Sequence, residues 1–98
     1  MQNPTSNDRL IRLDEVLKEI GIKKTNFYET IKELKKGAER EQNEAKKQEI
    51  LTLYVLVKQK KFGRTSIWSY NQIQQFISHI KTGYAQEILD YIKYKNVA

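Results

Sequence analysis

The stretch Ile50-Leu-Thr-Leu-Tyr-Val-Leu-Val-Lys-Gln-Lys-Lys-Phe-Gly-Arg-Thr-Ser-Ile-Trp68 decides how this chain is built. Its first eight residues are rich in β-branched and aromatic side chains, which favour a strand buried on much of both faces. Lys58-Gln-Lys-Lys-Phe62 continues it with polar alternation. Gly63-Arg64 supplies a turn, and Thr65-Ser-Ile-Trp68 returns as a second strand. The expectation is a β-hairpin with a long first arm and a tip formed by Lys60, Lys61, Gly63 and Arg64. Lys58 and Lys60 are expected on one side of that arm, with Lys61 on the other.

On both sides of the hairpin the apolar residues switch to helical spacing. Leu13, Val16, Leu17 and Ile20 mark one face of a short helix, with Asp14 and Glu15 at its dipole-favoured start and Gly21 just past its end. Ile22 is placed to plug the junction with a second helix over about 24–36. That helix carries Phe27, Tyr28, Ile31 and Leu34, with Thr25 as its expected N-cap. Two short helices joined through Gly21-Ile-Lys23 have a helix-turn-helix outline. Downstream, Ser69-Tyr-Asn-Gln72 fits a capping box ahead of Ile73, Phe76, Ile77 and Ile80. Gly83 ends that helix, and Tyr84, Ile88, Tyr91 and Ile92 suggest a last one over 84–95.

Residues 35–49 hold no large apolar side chain. They read as a polar insertion, either a mobile loop or a solvated helical extension, and Gly37 weighs against the helix. The predicted order is helix, helix, hairpin, helix, helix. This is a mainly α fold with a β-hairpin, a winged helix-turn-helix, over 9–98 as a single domain. Residues 1–8 are expected to be a flexible N-terminal arm.

Charge narrows the function. With 98 residues and 39% hydrophobic content, the chain has room for one simple core. Its 18 Lys and Arg outnumber 12 Asp and Glu, a balance that favours an anionic partner. The excess is uneven. No acid occurs between Glu49 and Glu87, and Lys58, Lys60, Lys61 and Arg64 cluster inside that interval. No cysteine is present and His79 is the single histidine, so Cys-ligated and His-based metal sites are excluded, as are disulfides. No catalytic constellation, phosphate-binding glycine loop or membrane-length apolar run is visible. The expectation is a soluble, cytoplasmic, non-enzymatic protein without cofactor or metal.

The nucleic-acid candidates are therefore Lys58, Lys60, Lys61 and Arg64 on the hairpin, for phosphate, and Lys24, Thr25, Asn26 and Lys32 on the second helix. Solvated surface is the competing reading for both sets, the hairpin cations and the helix residues. Tyr84, Ile88, Tyr91 and Ile92 read as core or as a partner or oligomer contact. Trp68, Phe27, Ile31 and Leu34 read as core. Tyr54, Tyr70, Tyr84, Tyr91, Tyr94 and Phe62 are numerous for so short a chain, and aromatics beside cations can stack on unpaired bases, with ordinary core and rim as the alternative.

Arg9-Leu-Ile-Arg-Leu-Asp-Glu-Val-Leu-Lys-Glu-Ile-Gly-Ile22 resembles the opening of AlpA-type regulators, within the MerR-like and excisionase-like group of small winged helix-turn-helix proteins. Thr25-Asn-Phe-Tyr28 resembles the start of their recognition helix. Val57 to Trp68 looks like their wing, with Gly63-Arg64 at its turn. The likeness spans roughly 9–36 and 55–82. It implies a transcription regulator or excision factor of a phage or genomic island, binding duplex DNA. Glu29 and Glu33 stand where the group usually carries basic residues, and the chain adds 35–49 and a helix from Tyr84 onward. These departures favour an alternative: an accessory subunit that binds a recombinase or replication protein and touches DNA, single-stranded DNA included, without sequence preference. A homodimer is compatible with either reading.

Overall fold

The computed structural model describes residues 8–97. Leu13, Val16, Leu17 and Ile20 build the first helix as their spacing requires, α1 (Leu13–Ile20). It ends at Gly21, whose φ of 81° lies in the left-handed region that a glycine adopts without a Cβ clash. The second helix, α2 (Lys24–Arg40), is longer than expected, and Lys23 rather than Thr25 occupies its N-cap, with no side-chain cap bond. Thr25 is an exposed residue of the first turn.

The main correction concerns Ile50–Val57. It is no strand but the latter part of a third helix, α3 (Glu44–Val57). Composition points one way and spacing the other. Ile50, Leu53 and Val57 recur at i, i+3 and i+7, and these three with Leu56 are the residues α3 buries. Upstream, Glu44 to Glu49 contains strong helix formers, and Asn43 caps the helix by accepting from the Lys46 N–H at 3.1 Å. The polar segment 35–49 is thus no insertion loop. It is the end of α2, a three-residue link and the start of α3. Gly37 lies inside α2 because α5 passes there: a Cβ on Gly37 would lie 2.7 Å from Ile92 Cδ1.

The hairpin exists, but its first arm is short: β2 (Lys60–Phe62) pairs antiparallel with β3 (Thr65–Ser69), Phe62 facing Thr65. An unforeseen strand, β1 (Leu10–Ile11), pairs with the other edge of β3, giving the order β1-β3-β2. Ser69 then caps α4 (Tyr70–Lys81), its Oγ accepting from the Gln72 N–H at 3.2 Å. Gln72 does not complete a capping box, since its side-chain oxygen accepts from Lys60 instead, at 2.9 Å. The last helix is α5 (Tyr84–Val97). The chain is therefore mainly helical with a small three-stranded antiparallel sheet, and its order differs from the expected one by α3 and β1.

One core joins these elements. Phe27 and Leu34 of α2, Ile50, Leu53 and Val57 of α3, Trp68 of β3, Ile73 of α4 and Ile88 of α5 are all buried in it. Trp68 sits at the hub. Its ring lies 5.7 Å from that of Phe27, and its Nε1–H donates to the Val57 carbonyl at 2.8 Å. The end of α3, the sheet and the first turns of α2 are thereby fixed together.

Candidate nucleic-acid interface

The basic cluster is carried by three elements in succession. Lys58 is the C-cap of α3, not a strand residue, so it does not share a strand face with Lys60. Lys60 and Lys61 belong to β2, and Arg64 to the turn. Gly63, with φ of 64°, takes the first place in a two-residue turn where positive φ favours glycine. Residues 60–64 are all exposed, so this tip stands clear of the core. Among the described residues, none of the four cations takes part in an ion pair. Lys58 Nζ lies 6.0 Å from the centre of the Tyr54 ring.

The sequence interval between Glu49 and Glu87 lacks acids, yet the fold brings one to its edge. Asp8 accepts from Ser69 Oγ at 2.6 Å and from the Asn71 N–H at 3.0 Å. Those two bonds, chiefly, hold its carboxyl below the usual carboxylate range, and the nearby Lys60 charge acts in the same direction. Asp8 is thus docked on the start of α4 and is no part of a flexible arm; the rest of the expected arm, 1–7, lies outside the described residues. Its one local partner among the described residues is the Arg9 N–H, at 2.8 Å; the two bonds that dock it on α4 come from residues more than sixty positions away, which no local pattern signals.

Helix α2 offers a second surface. Phe27, Leu34 and Ala38 turn inward. At 100° per residue, Thr25, Glu29, Lys32 and Lys36 fall on the opposite side, with Lys24 and Asn26 flanking it. Lys24, Thr25, Asn26 and Lys32 are exposed, but they do not form one stripe, and Glu29 lies midway along the one containing Thr25 and Lys32.

The stripe on α5 divides between core and surface. Ile88 and Ile92 are buried in its own core. Tyr84 is half-buried and donates its hydroxyl to Glu49 of α3 at 3.0 Å; burial and that bond push its phenol pKa up. Tyr91 is half-buried under the Lys46 ammonium, 5.0 Å from its ring centre.

Among the described residues no group of three or more acidic or histidine side chains is arranged to hold a metal, and no helix is long and apolar enough to cross a membrane. Comparisons with protein-family models, with curated proteins and with solved structures gave no significant match.

Proposed function

We propose that this chain is a small DNA-binding protein of the winged helix-turn-helix kind, AlpA-like, serving a mobile genetic element as transcription regulator or excision factor. One observation carries the reading: the β2–β3 tip presents Lys60, Lys61 and Arg64, all exposed and, among the described residues, free of ion pairs. Such a finger suits phosphate contact on duplex DNA, with α1 and α2 as the helix pair and α2 directed to the major groove. The test is a salt titration of binding to a mixed-sequence duplex. Contacts from Lys58, Lys60, Lys61 and Arg64 give a log–log slope on the order of −4. A slope near zero removes the polyanion grip.

Glu29 favours a second reading. A carboxylate between Thr25 and Lys32 on the outward face of α2 is repelled by a phosphate-lined groove, although it can accept from cytosine N4. In this reading the chain is an accessory subunit of a recombinase or replication protein of the same element, and only the hairpin meets DNA. Glu29→Gln separates the two. With α2 in the groove, affinity rises several-fold or sequence preference shifts; with the hairpin alone on DNA, neither changes.

A further inference from the structure

We infer that Phe62 is a wedge that enters between stacked bases of the duplex, and so makes the hairpin a reader of deformable DNA steps; this rests on the DNA-binding reading above. Phe62 is 79% exposed, the most exposed large apolar side chain described. It has no place in the core and no ring partner among the described residues. The fold therefore does not need it.

Its placement suits insertion. Phe62 pairs with Thr65 and Lys60 pairs with Ile67, so Phe62 and Lys60 share the outer face of the ribbon. Lys61 lies on the other face, the one on which Trp68 enters the core. Ahead of Phe62 stand only Gly63, whose missing Cβ would meet nothing within 4 Å, and Arg64. The ring thus has open approach at the end of a narrow two-stranded arm, with a cation on each side. Lys60 is held in position by Gln72, at 2.9 Å. Apolar wedges flanked by Arg and Lys are how minor-groove proteins unstack and kink a base step. The cations bring the arm to the phosphates, and the ring is left facing the bases.

The experiment compares wild type with Phe62→Ala on three labelled DNAs: a 30-base-pair duplex of mixed sequence, the same duplex with one unpaired nucleotide, and its single strand. The unpaired nucleotide removes part of the unstacking cost. Wild type is expected to prefer the interrupted duplex by about 10-fold, and Phe62→Ala to bind both duplexes equally at an unchanged melting temperature. Equal binding by both proteins to every DNA overturns the wedge and leaves the DNA-binding reading intact. A Phe62-dependent preference for the single strand over both duplexes also overturns it, in favour of stacking on unpaired bases. A wild-type dimer that Phe62→Ala converts to monomer, with DNA binding unaltered, makes Phe62 a contact between copies instead. Absence of DNA binding by wild type takes down both the wedge and the reading it rests on.

Discussion

Trp68 Nε1 donates to the Val57 carbonyl at 2.8 Å, inside the core. That carbonyl belongs to the last turn of α3, where no intrahelical N–H remains to satisfy it. The indole thus closes the helix that leads into the hairpin and sets where β2 begins. Trp68→Phe keeps a ring beside Phe27 but leaves the carbonyl without its donor. The expected loss is about 1–3 kcal/mol of unfolding free energy by urea titration. A variant as stable as wild type would remove Trp68 from this role.

Leu53 and Val55 separate the helix from the strand that composition suggests. In a strand, residues two apart share a face; in α3, Leu53 is fully buried while Val55 is 51% exposed. Leu53→Ala is expected to cost about 2–5 kcal/mol and Val55→Ala less than about 0.5 kcal/mol. Equal costs in chemical denaturation contradict α3.

Much of the frame is legible in the order of residues alone. Gly21 ends α1, Ser69 starts α4, and Gly63-Arg64 turns the hairpin, because each depends on chemistry within a few residues. What escapes a local reading depends on distance. The two residues of β1 are strand only because β3 lies beside them. Asp8 acts through Ser69 and Asn71. Ile50–Val57 is ambiguous by composition, and only its i, i+3, i+7 spacing carries the helix. At the candidate interface, the charge run brings Lys60, Lys61 and Arg64 to view at once. Glu29's place between Thr25 and Lys32 on the outward face of α2 depends on the helix phase, and the isolation of Phe62 on the length of β2.

Gly37 makes the same point energetically. An alanine in a helix is normally better than glycine by about 1 kcal/mol. Here the added methyl would meet three atoms of Ile92 within 3.1 Å. Gly37→Ala is expected to destabilise by about 1–3 kcal/mol, with Ile92→Val recovering part of the loss in the double variant. A stabilising Gly37→Ala, read by thermal melting, means that α2 and α5 do not approach so closely.

Asp8 predicts an acid sensitivity with a definite sign. Its folded pKa is depressed below 3.8, so its contribution is present above that value and lost as pH falls through the folded one. The melting-temperature gap between wild type and Asp8→Ala should therefore be full near neutrality and close as pH falls below the ordinary carboxylate range. A gap independent of pH contradicts the Ser69 and Asn71 contacts.

The most direct measurement is DNA affinity of the triple variant Lys60→Gln, Lys61→Gln, Arg64→Gln against wild type, on one duplex over a range of salt. The account predicts only a small drop in melting temperature, since all three side chains are exposed and, among the described residues, Lys60 alone of them is bonded, to Gln72, and a salt slope shallower by about 3. Wild-type affinity and slope in the triple variant would contradict the claim that this hairpin grips the nucleic acid.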